Sequence, residues 1–223
     1  MTIDVKRGYD EKKMAASRSR AALLEAASVL LRDGDTLEVS LNDIGRVAGI
    51  SAALVAYYFG SKDGLLTALI ERDASSALAA FEELLGMDIS PSRKLRYHLS
   101  GLIKTYGKYP YLARLANALI RDGEAAEAKR LAAQFCIPMV DAYDKLLRQG
   151  LEAGEFRPMD TMHFYFTVIG LSQDIFASRA VLRNCFGVDD LTAQQISDYA
   201  DHAYGIIMGG IRLPVDGNAC QPG

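Results

Sequence analysis

The eighteen residues from Gly49 to Leu66, GISAALVAYYFGSKDGLL, follow the segment SLNDIGRVA, and together they constrain the fold more than any other part of the chain. Leu41, Ile44, Val47 and Ala48 give the first segment one apolar face at helical spacing. Gly49 then permits the left-handed backbone that ends a helix and redirects the chain. A second helix is expected over Ala52–Phe59, with Ser40 and Ser51 placed to cap the two helices by accepting free backbone N–H groups. Helices this short do not persist alone, so a third must pack on them. Ser17–Asp33 supplies it, with Leu23, Ala26, Ala27, Leu30 and Leu31 in one stripe. Two short helices, a glycine turn and a supporting helix make a helix-turn-helix, whose second helix enters the major groove of DNA.

Beyond this module the chain reads as further helices with short connections and no strand alternation, so the expected fold class is all-α with about nine helices. A long fourth helix follows Ser61 and ends at Gly86, and Ser90 with Pro91 opens a fifth that Gly107 and Pro110 break. A sixth runs to Asp122–Gly123, and a seventh to Gly154 with a bend near Pro138. Two more are expected over Met162–Ala177, apolar all round, and Gln195–Ile211. The division expected is a flexible basic arm at 1–16, a helix-turn-helix domain at 17–62, a larger helical domain at 63–213 and a flexible tail at 214–223.

Charge and composition narrow the function classes. The net charge of −3 is unfavourable for nucleic acid, yet residues 1–62 carry nine basic against eight acidic side chains, with Lys6, Arg7, Lys12, Lys13, Arg18 and Arg20 placed early. That leader is either a solvated tail or an arm that touches phosphates. No apolar run reaches the roughly 20 residues of a membrane span, and the first sixteen residues lack the apolar core of a signal peptide, so a cytoplasmic protein with no membrane partner is expected. Cys136, Cys185 and Cys220 share no ligand spacing, and His98, His163 and His202 have no second histidine four residues on. No nucleophile elbow or phosphate loop occurs; neither an enzyme, a metal nor a cofactor is implied.

The run Ala48, Gly49, Ile50, Ser51, Val55, Tyr57, Tyr58, Phe59, Ser61, Lys62 and Leu65 resembles the TetR family of bacterial transcriptional repressors, whose reader ends in A-G-V-S-x-x-x-[LV]-x-[YH]-[YH]-F-x-S-K-x-x-L. Gly45 stands where the family usually carries Ala, which should loosen the first short helix by about 0.5–1 kcal/mol. Ala56 stands where many members carry an aromatic or His. The helix Ala52–Phe59 holds no Arg, Lys, Asn or Gln and so lacks the usual bidentate base readers. Ala52, Ala53 and Ala56 can meet thymine methyls, Tyr57 and Tyr58 can offer hydroxyls, and Lys62 at a helix start suits phosphate. Asn42 and Arg46 can reach the duplex edge, and Ser40 and Ser51 complete the candidate DNA-binding set.

The resemblance implies a homodimeric, ligand-responsive DNA-binding regulator, a repressor, with double-stranded DNA, a small-molecule effector and a second copy of itself as partners. The effector would sit among Tyr97, His98, Tyr106, Arg114, Gln134, Phe135, Met139, Tyr143, Phe164, Gln173 and Asp174. Dimer contacts would come from Phe176, Ile196, Tyr199, Ala203, Ile206, Gly209 and Gly210, a stripe that in a monomer would be core packing. The alternative is a helical small-molecule-binding or protein-interaction module that binds no operator.

Overall fold

The computed structural model describes residues 2–34 and 37–213, and nearly all of the helical periodicity in them is realised as helix. The elements are α1 (Thr2–Asp33), α2 (Leu41–Ala48), α3 (Ala52–Phe59), α4 (Lys62–Gly86), α5 (Pro91–Lys108), α6 (Leu112–Asp122), α7 (Ala125–Leu131), α8 (Ile137–Glu152), α9 (Thr161–Ala177), α10 (Arg179–Phe186) and α11 (Ala193–Ile211). The fold is all-α: the described residues hold no strand, only an isolated antiparallel bridge between Phe156 and Arg212. No helix among them is long and apolar enough to cross a membrane. The tail at 214–223, with Cys220, lies outside the described residues.

Three departures from the expected elements have local causes. The backbone of α1 begins at Thr2, so the segment expected as a flexible arm is helical. Glu11, Lys12, Lys13, Met14, Ala15 and Ala16 are all good helix formers, and no proline interrupts them. The expected seventh helix is α7 and α8 joined by a π turn, Ala132–Cys136. Pro138 brings no N–H and its ring crowds the carbonyl four residues back, and the widened turn lies directly before it. Finally α10 is an additional helix beyond the expected nine. It is closed by Gly187 and is only two turns long, and although Val181, Leu182, Cys185 and Phe186 share one face, none of its side chains is buried.

The chain divides into two compact units, Met1–Asp73 with Tyr111–Leu131 and Ala74–Pro110 with Ala132–Gly223. The boundary expected after Lys62 is therefore displaced, because the first half of α4 and all of α6 and α7 group with the reader helices. A buried polar network holds the first unit. The Tyr111 hydroxyl, ahead of α6, donates to Asp73 Oδ2 of α4 at 2.5 Å and lies 2.7 Å from Ser28 Oγ of α1. Arg72 donates from Nε to Asp73 Oδ1 at 2.6 Å and from Nη1 to Glu25 at 3.1 Å. The nearly inaccessible Asp73 carboxylate is thus bonded on both oxygens, the condition for tolerating such a group inside a protein.

The second unit is packed by α5, α8, α9 and α11 around Phe81, Leu95, Leu99, Tyr143, Leu146, Phe156, Phe164 and Val168. The buried Lys94 ammonium donates to the Leu85 carbonyl at 2.9 Å and to Gln149 Oε1 at 3.0 Å, satisfying a carbonyl in the last turn of α4. Replacing Tyr111 by Phe leaves the volume but takes the donor from Asp73 Oδ2 and one partner from Ser28, while Arg72 still holds Asp73 Oδ1 and Arg32 still reaches Ser28. Tyr111→Phe should lower unfolding free energy by about 1–3 kcal/mol, read as a reduced urea midpoint at unchanged slope.

Candidate nucleic-acid interface

The reader is set by the turn between α2 and α3. Ser40 caps α2, accepting from the Asp43 amide at 3.1 Å and donating to the Asp43 carboxylate at 2.5 Å. The Ser40 hydroxyl first, and the Arg46 guanidinium at 3.2 Å next, hold the Asp43 carboxyl below its usual range. At the other end Gly49 adopts φ 68°, and the Ile50 amide reaches back to the Gly45 carbonyl at 2.8 Å, a Schellman closure. Gly45 is not a loose spot: a Cβ there would lie 2.5 Å from the Ile50 carbonyl oxygen, so the turn as folded here would have to shift to admit one. The expectation that Gly45 merely weakens α2 is corrected accordingly.

Ser51 occupies the N-cap position of α3 in extended backbone, but its hydroxyl makes no capping bond, contrary to expectation. Val55 is the buried anchor of α3. Ala53, Ala56 and Tyr57 face solvent, Tyr57 at 80% exposure, while Ala52 and Tyr58 are half-buried. Tyr58 meets Tyr57 edge-on at 5.4 Å, and Phe59 lies beneath the Arg20 guanidinium at 5.1 Å. Leu54, also exposed, belongs to the same surface and is absent from the sequence-derived set; its place three residues before Tyr57 on a helix was the available signal. Lys62 is the first residue of α4, whose N-terminus Ser61 caps through the Gly64 amide at 3.0 Å. Asn42 and Arg46 are exposed on α2. Ser40, Asn42, Arg46, Ser51, Ala52, Ala53, Ala56, Tyr57, Tyr58 and Lys62 thus all lie in the first unit, on the turn and its two helices or at the start of α4.

The expected effector residues do not form one site. Arg114 belongs to the first unit. Tyr143 and Phe164 are fully buried and meet edge-on at 5.4 Å, filling the second unit's core, while Tyr106 and Met139 pack against that core. Phe135 and Gln134 sit in the π turn, Gln173 is half-buried with its Oε1 unbonded, and Asp174 is exposed. An open crevice of about 260 Å³ lies elsewhere, between α4 (Ser76, Ala77, Ala80, Phe81, Leu84) and α5 (Tyr97, His98, Gly101, Leu102, Thr105). Of the expected residues only Tyr97 and His98 line it. His98 stacks on Phe81 at 3.6 Å and lies 2.9 Å from the Tyr143 hydroxyl, and burial pushes its pKa down to about 3.

The expected dimer stripe splits in two. Phe176, Ile196, Tyr199 and Ala203 pack within the chain on Ile103 and Ala200, so for these four the core-packing alternative describes their contacts. Ile206, Gly209 and Gly210 remain in solvent, together with Met162 and Phe166 of α9, which the sequence-derived set omits.

Comparison with known proteins matches two separate parts of the chain, and the second match includes the segment Tyr111–Leu131 that packs with the first unit. Residues 23–69 match the model of bacterial regulatory proteins of the tetR family, and residues 88–217 that of the tetracyclin repressor-like C-terminal domain. The transcriptional regulator EthR of Mycolicibacterium smegmatis is 28% identical over 116 residues, 52% of this chain and 54% of that protein. The chain thus spans about half the length of this curated relative. Among solved structures, the ketosteroid transcriptional regulator KstR2 of Mycobacterium tuberculosis superposes with TM-score 0.68 at 16% identity, over 87% of this chain and 95% of its own. The regulator FadR of Bacillus subtilis, solved with stearoyl-CoA, gives 0.65 at 15% identity over 86% and 99%. These relatives are transcriptional regulators, not enzymes.

A Gly→Ala change inside a helix ordinarily stabilises by about 0.5–1 kcal/mol. At Gly45 the sign should reverse: Gly45→Ala should destabilise by roughly 1–3 kcal/mol through overpacking against Ile50, measured by chemical denaturation.

Proposed function

The chain belongs to the TetR family of bacterial regulatory proteins, and on that premise we propose that it is a homodimeric, DNA-binding transcriptional repressor controlled by a small-molecule effector in its second unit. The observation that carries this reading is the solvent face of α3, where Ala53, Leu54, Ala56 and Tyr57 stand clear on a helix anchored by Val55 and aimed by the Gly49 turn. A surface of methyl groups without charged or amide side chains approaches the major groove closely and discriminates thymine through its C5-methyl. Affinity then falls to the flanks. Lys62 and the N-terminus of α4 meet phosphate, and Arg46 exchanges its exposed partner Asp43 for a phosphate oxygen at little loss.

A single reader covers too little duplex to find one site in a genome, so two must act together. Ile206, with Phe166 and Met162, offers apolar surface for a two-fold contact, and a Cβ at Gly205, Gly209 or Gly210 would meet nothing within 4 Å among the described residues, leaving room for a second backbone. Ligand in the second unit controls the reader only through differential affinity for the DNA-competent and incompetent states.

Fluorescence anisotropy with the duplex upstream of the chain's own gene tests the regulator reading; salt-dependent binding supports it, and its absence leaves the ligand-binding or protein-interaction alternative. Lys62→Ala should weaken binding to all duplexes alike and reduce the slope of log affinity against log salt by about one. Ala56→Glu should abolish binding while the circular dichroism stays helical. Because Ile206 and Gly209 are open in the monomer, Ile206→Asp and Gly209→Arg should give folded, soluble monomers by light scattering that no longer hold the operator.

A further inference from the structure

We propose that the crevice between the second half of α4 and α5 is the effector site, that it takes a small, uncharged, largely apolar molecule, and that Gly101 keeps it open; this rests on the regulator reading above. The lining is Ala77, Ala80, Phe81, Leu84 and Leu102, relieved by the hydroxyls of Ser76, Tyr97 and Thr105. The one titratable base in it, His98, is neutral at physiological pH because burial holds its pKa near 3. A charged ligand would find no counter-ion in this wall, and burying it unpaired is costly. Arg93, whose guanidinium reaches the Tyr97 hydroxyl at 3.3 Å, stands in solvent at the rim.

Two glycines of α5 show why Gly101 matters. A Cβ on Gly107 would come within 3.2 Å of Phe176 and Ile196, so packing inside the chain explains that residue. A Cβ on Gly101 would meet nothing within 4 Å, although glycine inside a helix costs about 0.5–1 kcal/mol relative to alanine. Among the described residues nothing bars a side chain there, and one added at Gly101 would project into the crevice that this residue lines. Its floor is preformed, since Phe81 stacks on His98 and His98 is tied to Tyr143. At about 260 Å³ the space lies below the roughly 300–1,000 Å³ of drug-sized pockets, so it fits a compact molecule rather than a long acyl thioester.

Titration of the full chain with N-phenyl-1-naphthylamine, an uncharged aromatic fluorophore, tests this. Saturable one-to-one binding is expected, at least about tenfold tighter than for the anionic analogue 8-anilino-1-naphthalenesulfonate. Gly101→Leu, and independently Ala80→Phe from the opposite wall, should each weaken it by at least about tenfold with helical content and duplex affinity retained. Saturating fluorophore should change duplex affinity in the wild-type chain and leave it unchanged in Gly101→Leu. Equal binding by wild type and both variants, preference for the anionic dye, or binding without effect on duplex affinity would overturn the proposal. Failure of the ligand-free wild type to bind duplex would instead count against the regulator reading, and the dye titration would still report on the crevice.

Discussion

The amide of Ile50 bonded to the carbonyl of Gly45 is the contact on which the reader depends. It closes α2 over a left-handed Gly49 and sets where α3 begins, and therefore which of its side chains meet solvent. Both partners of the turn are constrained. Gly49 takes a positive φ, and a Cβ on Gly45 would lie 2.5 Å from the carbonyl oxygen of Ile50, so in this backbone the turn closes over a bare position. With the turn fixed, Val55 faces inward, and Ala53, Ala56 and Tyr57 face outward without support from any charged group on α3.

Different physics holds the two units. In the first, a buried carboxylate is neutralised by Arg72 and hydrogen-bonded by Tyr111, which also touches Ser28, so three helical segments share one polar network. Such a network tolerates no half-measures: a deletion leaves a desolvated group behind, whereas the intact set is geometrically specific. The second unit relies on aromatic and aliphatic packing, with Phe81, His98, Tyr143 and Phe164 in successive ring contacts. Space beside His98 is left by a bare position on α5.

Helical periodicity, the Ser40 and Ser90 caps and the Gly49 turn were legible because each is a local signal, carried within one or two turns of chain. An interruption near Pro138 was legible for the same reason, although its form, a π turn between α7 and α8, was not. What failed was long-range or degenerate. Ser28, Asp73 and Tyr111 are far apart in sequence, and nothing in any one segment announces their meeting. Tyr143 and Phe164 have the composition of pocket walls and of core alike, and only packing shows that they fill the interior. Likewise the stripe on α11 was visible, but not its division between residues that pack on α5 and α9 and residues left in solvent. Ser51 had the right residue type for a cap and the right backbone, yet makes no bond.

The claim that joins this geometry to function is that α3 reads thymine methyls. The most direct measurement is affinity for a duplex selected by the protein from a random pool, compared with the same duplex carrying deoxyuridine in place of thymine at the protected major-groove positions. Removing a buried methyl forfeits about 0.8 kcal/mol, so each contacted position should weaken binding several-fold while the salt dependence stays the same. Undiminished affinity after every such substitution would contradict the assignment of α3 as the reading surface.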